Sequence, residues 1–239
     1  MNILVTGGAS GLGAAITTGL ASGNENVVYF TYFRSLEKAN ELEKKYSNAK
    51  AVFCDFTNEQ SLNDLLLLME TFKIQVLVNN ALPLINIKHF HKTDQNVFLD
   101  SFQSNVIPFI KISQKAVELF RKQKFGKVIT VLSSAIISKP PVGWSHYVAE
   151  KNYILSVCRS IAIENAAFNI TSNCISPGFM LTDLNKDMDE RVVEDMKAKH
   201  PLKQLLTTEE TTQAIIFLAG ASQQINGTNI VINAASDLA

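Results

Sequence analysis

Short apolar runs alternate along the chain with segments of helical periodicity, and that alternation constrains the fold more than any other feature. Runs rich in Val, Ile, Leu and Phe stand at 2–6, 27–32, 49–54, 75–79, 127–133, 170–175 and 228–232. Each is mostly continuous, as a strand reads when helices cover both of its faces. Between them, 36–46, 60–72, 94–122, 145–168 and 209–219 read as helices, as does the segment after the first strand, where Ala15, Ile16, Leu20 and Ala21 share a face. Such alternation predicts a doubly wound, parallel α/β sheet of about seven strands with right-handed crossovers. Pro108 lies inside the 94–122 segment, where its missing N–H kinks or splits a helix. No linker, low-complexity tract or repeat divides the chain. The expectation is one domain over 1–239, with a polar substrate-loop insertion at about 179–206 that includes an amphipathic piece near 190–199.

Bulk properties narrow the function. A chain of 239 residues can bury a core without disulfides or metal. Its formal net charge of zero argues against nucleic acid or an anionic membrane as a partner. Cys54, Cys158 and Cys174 form no CxxC pair, which suits structural thiols in a reducing compartment. The N-terminal residues lack a basic stretch followed by a hydrophobic run, and no apolar run reaches the ~18 residues of a membrane span. A soluble, cytoplasmic protein is expected. His89 and His91 have no Cys or acidic partner to complete a metal site, so no metal is expected.

Two stretches carry chemistry. The first strand ends in Gly7-Gly8-Ala9-Ser10-Gly11-Leu12-Gly13 and runs into a helix, a layout that presents backbone N–H groups to a pyrophosphate in a Rossmann-type fold. The second is SAIISKPPVGWSHYVAEK, from Ser134 to Lys151. Tyr147 and Lys151 are one helical turn apart, and Ser134 precedes them across a loop broken by Pro140, Pro141 and Gly143. A lysine cation beside a phenol favours the phenolate and lowers its pKa from about 10. A neighbouring hydroxyl then holds a substrate oxygen while the phenol gives or takes the proton. His146 is expected off that face, at the surface or an interface. Trp144 either lines a substrate site or packs.

These motifs, in this order, resemble the short-chain dehydrogenase/reductase family over essentially the whole chain. Thr6, Gly7, Gly11, Leu12 and Gly13 resemble its nucleotide-binding turn, and Asn79-Asn80-Ala81 its fourth-strand signature. Asp55 stands where the family's adenine-contacting aspartate does. The resemblance implies catalytic roles for Asn105, Ser134, Tyr147 and Lys151, with Ser133 one residue off the family spacing. Tyr147 would be the general acid and base, Lys151 would also bind the nicotinamide ribose, and Asn105 would hold a water in a proton relay. Cofactor contacts are implied for Gly7, Ser10, Gly11, Leu12, Gly13, Asp55, Phe56, Asn79, Ala81, Tyr147, Lys151, Pro177, Gly178, Met180 and Thr182, while Asn173 resembles part of the segment that closes over the nicotinamide. The chain departs from the family at Leu82-Pro83, where glycine usually follows Asn-Asn-Ala, and in its INAAS ending.

No acid ends the second strand at Tyr32 or Phe33, and Arg34-Ser35 follows, which suits a 2′-phosphate. NADP(H) is therefore expected over NAD(H), although Ser10 stands where many NADP-dependent relatives have a basic residue. The expected activity is carbonyl reduction on a small-molecule substrate, a 3-oxoacyl thioester by nearest resemblance, in a homodimer or homotetramer built on the 94–122 and 145–168 helices. Apolar candidates for the substrate pocket are Leu82, Leu84, Ile85, Ile136, Ile137, Trp144, Phe179, Met180 and Leu181. An NAD-dependent secondary-alcohol or sugar dehydrogenase and a non-catalytic nucleotide-binding regulator remain the alternatives.

Overall fold

The computed structural model describes residues 1–23, 25–81, 87–137, 139–182 and 188–236. Seven parallel strands form one sheet: β1 (Asn2–Val5), β2 (Val27–Tyr32), β3 (Ala49–Phe53), β4 (Val76–Asn79), β5 (Gly126–Val131), β6 (Ile170–Pro177) and β7 (Asn229–Ile232). Their spatial order is β3-β2-β1-β4-β5-β6-β7, so the order reverses between β1 and β4. At such a switch point the connecting helices leave to opposite faces and open a crevice at the strands' carboxyl ends. The helices are α1 (Gly11–Ala21), α2 (Leu36–Lys45), α3 (Glu59–Phe72), α4 (Gln95–Ser101), α5 (Ile107–Gln123), α6 (Ser145–Asn165), α7 (Glu190–Lys199) and α8 (Thr208–Gly220). None of the described helices is long and apolar enough to cross a membrane.

Strand alternation divides the core between the two faces. Ile3, Val5, Val76 and Val78 pack with Ile16 and Leu20 of α1, Ala39 of α2 and Ile215 and Leu218 of α8. Leu4 and Leu77 point the other way, onto Leu62, Leu65 and Met69 of α3 and Ile112, Ala116 and Phe120 of α5. A third cluster joins Val106, Phe109, Leu132, Ile154, Cys158 and Cys174 under α6. Burying one such aliphatic side chain contributes about 1.5–3 kcal/mol, so these clusters set the sheet's register against its helices. Local signals place the helix starts: Asn58 caps α3 through Ser61 N, and Thr207 with Glu210 forms a capping box on α8.

The expected 94–122 helix is interrupted. Between α4 and α5 the chain makes one π-helical turn, Phe102–Val106, and Pro108 sits in the first turn of α5. A proline there has no N–H for the carbonyl four residues back, and the wider turn absorbs that mismatch. Asn105 lies in this turn.

The unusual ending also has a backbone consequence. Ala234 and Ala235 both adopt left-handed conformations, with φ of 52° and 60°. That region costs an L-residue roughly 1–2 kcal/mol, while glycine loses about 0.5–1 kcal/mol of chain entropy. Ala234→Gly and Ala235→Gly should therefore each stabilise the protein, by about 0.5–1 kcal/mol in urea unfolding. A loss of stability would mean that the methyl groups pack usefully.

Candidate active site

The glycine turn is held from three sides. The Thr6 hydroxyl accepts from Asn80 N at 2.9 Å and Ala81 N at 3.1 Å, and the Asn80 amide donates to Thr6 O and Gly7 O. Gly7 N donates to the Thr31 hydroxyl at 2.8 Å, and Gly8 N to Thr31 O at 2.9 Å. Gly7 has φ +63°, and a methyl group there would stand 2.9 Å from Ala81 Cα. On Gly13 it would stand 1.9 Å from Gly7 O, so α1 begins flush against the turn. Ser10 is extended, with φ −148°, and its side chain does not cap α1. The first N–H groups of α1 thus carry no side-chain cap, above a cradle that any Cβ would fill. That geometry fits a pyrophosphate. Leu12 packs back on the first core cluster. Thr182 lies across the cradle, its Cβ 3.4 Å from the position of a Gly11 Cβ.

Beyond β2, Arg34 is exposed, with its guanidinium carbon 5.2 Å from the Phe33 ring centroid. Ser35 begins α2 without spending its hydroxyl on the cap. Asp55 Oδ1 accepts from the Thr57 N–H and hydroxyl, at 2.9 and 2.7 Å, and Phe56 leans on the second core cluster. The Asn79 amide donates to the Ser113 hydroxyl at 3.1 Å, so this side chain ties β4 to α5. Asn173 likewise braces the approach to β7, through Ile225 O and Thr228 N. Past Pro177, Gly178 N donates to Ile232 O at 2.8 Å, and Met180 Sδ accepts from the Thr211 hydroxyl of α8 at 3.3 Å.

Tyr147 and Lys151 lie on the buried face of α6, each 7% exposed. The Lys151 ammonium donates to Val131 O, at the end of β5, at 2.8 Å, and stands 5.9 Å from the Tyr147 ring centroid. Burial holds the Lys151 pKa down to about 8, against the smaller upward pull of Glu150. Burial also raises the Tyr147 pKa; a hydrogen bond from the Ser133 hydroxyl pulls it down, and the Glu150 carboxylate pushes it up. Sequence spacing leads to the expectation that Lys151 depresses the phenol. In the structure burial is the largest influence on the phenol and raises its pKa. Trp144 sets its ring edge-to-face on Tyr147, with centroids 5.3 Å apart, and so forms a wall beside the phenol.

The Ser133 hydroxyl is the one that draws the phenol's pKa down, and the expected Ser134 follows it directly in the chain. Ser133 is still extended, with φ −163° and ψ 147°, and its oxygen caps a short 3-10 turn that begins at Ser134.

Two further side chains escape the sequence reading. His146 is 4% exposed and lies against the Phe98 ring of α4, which corrects the expected surface position. Glu150 is 8% exposed, and its Oε2 accepts from the Asn105 amide at 3.0 Å. The signal was their spacing of four residues, beside the Tyr147 and Lys151 stripe. It points to a buried arc of α6 wide enough to meet both the sheet and the π-helical turn. Of the expected apolar pocket, Leu82, Leu84 and Ile85 lie outside the described residues, as does Pro83. Ile136 packs on the third core cluster, and Leu181 is 46% exposed. Among the described residues no group of His, Cys, Asp or Glu is placed to hold a metal ion.

A family model described as enoyl-(acyl carrier protein) reductase matches residues 7–234. The chain belongs to the short-chain dehydrogenase/reductase family, and it is an oxidoreductase acting on CH–OH and C=O groups. It is 27% identical to the 3-oxoacyl-[acyl-carrier-protein] reductase FabG of Aquifex aeolicus, covering 96% of this chain and 94% of that protein. It is 30% identical to the sorbose reductase sou1 of Schizosaccharomyces pombe, covering 96% and 93%. YwfH, an NADPH-dependent reductase involved in bacilysin biosynthesis, superposes with a TM-score of 0.89 at 21% identity over 98% of this chain and 97% of its own.

Burial of Lys151 has a consequence for stability. Its pKa is about 8 in the fold, against about 10.4 in an unfolded chain. Between those values the unfolded chain binds the extra proton, so stability rises with pH through that window. Lys151→Met removes the buried charge and should stabilise the protein by roughly 1–3 kcal/mol at pH 7, with the lost hydrogen bond to Val131 O as an offset. The gain should shrink from pH 8 towards 10.5 in urea titrations. A constant gain would assign it to packing alone.

Proposed function

We propose that the chain is an NADPH-dependent reductase of carbonyl substrates. The observation that carries this reading is the convergence of a protonated, buried phenol, a hydroxyl and an ammonium at the end of β5, beside the glycine cradle. Gly7, Gly11 and Gly13 would receive the pyrophosphate, and Thr182 would close over it. Arg34 and Ser35 would meet a 2′-phosphate. A bound nicotinamide supplies the hydride. The chain does the rest. Ser133 donates a hydrogen bond to the substrate oxygen and stabilises the charge that develops there. Tyr147 gives that oxygen its proton, and a raised pKa keeps the proton available across neutral pH. Lys151 fixes the phenol's surroundings from one turn away. Such a phenol suits reduction better than the oxidative direction, which needs a base.

We read 1–239 as one domain in which the 179–206 segment shapes the substrate end; residues 183–187 of it lie outside the described residues. FabG of Aquifex aeolicus supports a 3-oxoacyl thioester as substrate, with Trp144 and Leu181 offering apolar surface. The sorbose reductase of Schizosaccharomyces pombe supports a sugar instead, and a panel of both classes separates the two. Leu99 of α4 and Ile163 of α6, 66% and 82% exposed, favour a homo-oligomer. Three buried, free cysteines favour a cytoplasmic setting.

Ser133→Ala should lower kcat on a reducible carbonyl by about 10–100-fold, and Ser134→Ala should lower it less. The reverse order would return the role to Ser134. In parallel fluorescence titrations, Arg34→Ala should weaken NADPH binding about tenfold or more while leaving NADH binding nearly unchanged. Equal effects on both would make Arg34 a surface charge only.

A further inference from the structure

Glu150 lies beside the Tyr147–Lys151 stripe on α6, and little of it reaches solvent. Lys, Glu and Asp are almost never fully buried unless paired, yet no salt bridge is formed by Glu150 among the described residues. Its Oε2 accepts from Asn105 Nδ2 at 3.0 Å, across the gap between α6 and the π-helical turn. Its Oε1 is buried with no hydrogen-bond partner among the described residues. Asn105 is itself held, its amide also donating to the Ser101 hydroxyl at 3.2 Å and its Oδ1 accepting from the Ser104 hydroxyl at 3.2 Å. The turn that Pro108 forces open therefore delivers one amide to one carboxylate, next to the reactive pair. A buried carboxylate left half-satisfied is costly, and its position beside Tyr147 and Lys151 gives it a use.

We propose that Glu150 is a positioning residue: its buried carboxylate ties the Asn105 turn to α6 and, through its charge, holds the proton on the Tyr147–Lys151 pair. The inference rests on the reductase reading above for its purpose and on geometry for its existence. A negative charge close to a phenol and an ammonium favours the protonated form of both; Glu150 pulls both groups upward, with burial the larger influence on each, raising Tyr147 and lowering Lys151. Among the described residues, the groups facing this corner come from four elements. From α6 come His146, Tyr147, Lys151 and Cys158, from β6 Cys174, from the strand end Ser133, and from the π-helical turn Asn105. Lys151 is the cation that Glu150 acts on. Because Tyr147 and Lys151 share a site, the proton belongs to the pair. Removing the carboxylate charge lets the pair's first proton leave at lower pH. In a reductase that change draws the alkaline limb of the rate profile downwards.

The test needs no substrate. Ultraviolet difference titration of the full chain, with the Tyr147→Phe protein subtracted, isolates the phenolate signal of Tyr147. Glu150→Gln keeps an acceptor for the Asn105 amide and removes the charge, so the Tyr147 midpoint should fall by about half a pH unit or more. Glu150→Met removes the charge without leaving a lone polar atom and should give the same shift. It also serves if the Gln protein does not fold. A midpoint that stays in place in whichever variant folds overturns the proposal and leaves Glu150 a structural tie. If the midpoint moves but no carbonyl is reduced, the reductase reading fails while the role of Glu150 stands. With a substrate in hand, Glu150→Gln should shift the alkaline limb of kcat/KM to lower pH by a similar amount, and an unmoved limb counts against the proposal.

Discussion

A buried ammonium is the constraint around which the active end of this protein is arranged. Lys151 reaches from α6 to the carbonyl of Val131, the last residue of β5, and so ties the helix to the strand where the chemistry is placed. Removing a lysine from water disfavours its charge, and here it does so enough to bring the pKa to about 8. The charge survives at neutral pH because Val131 O accepts from it and Glu150 lies beside it. The same burial keeps Tyr147 protonated. One physical cause, desolvation, thus acts on both partners in opposite senses, and the result is an acid at rest beside a weakly held cation.

The sheet makes that burial affordable by offering ends rather than edges. Its strands finish together at the switch between β1 and β4, and the helices that follow turn away to opposite faces. Thr6 and Asn80 sew the ends of β1 and β4 to each other, while Thr31 of β2 holds the glycine turn from the other side. The cradle and the phenol are therefore fixed to one rigid frame, and their separation is decided by strand spacing. Neither depends on a flexible loop. The long segment after β6 joins the frame through Gly178 on Ile232 and Met180 on Thr211.

Much of this was legible in the sequence because it rests on local pattern. The continuous apolar runs gave strands in the expected places, and the glycine spacing marked the turn whose Gly7 and Gly13 admit no side chain. What escaped depends on contacts between distant segments. A spacing between motifs cannot show which neighbouring hydroxyls influence the phenol, and Ser133 is one that does. Helical periodicity shows one buried stripe, so His146 and Glu150, which meet a second neighbour, were misplaced or missed. Pro108 announced an interruption but not its form. Its consequence was a π-helical turn that brings Asn105 to Glu150. The direction of the Tyr147 shift also lay beyond sequence, since it is a balance between burial and neighbours that only the packed structure sets.

That balance bears on how specificity and rate can be tuned separately in such a protein. On the proposed reading, Ser133, Tyr147 and Lys151 act from the end of β5 and from α6, whereas Trp144 stands in the loop before α6 with its ring against Tyr147. Loops tolerate change more readily than strand ends do. On the proposed reading, substrate choice is therefore free to drift through Trp144 and Leu181 without disturbing the proton chemistry. Glu150 belongs to neither group. It is buried and tied to Asn105 rather than to a loop, so on the proposed reading a change there alters the proton's hold more than the shape of the substrate end.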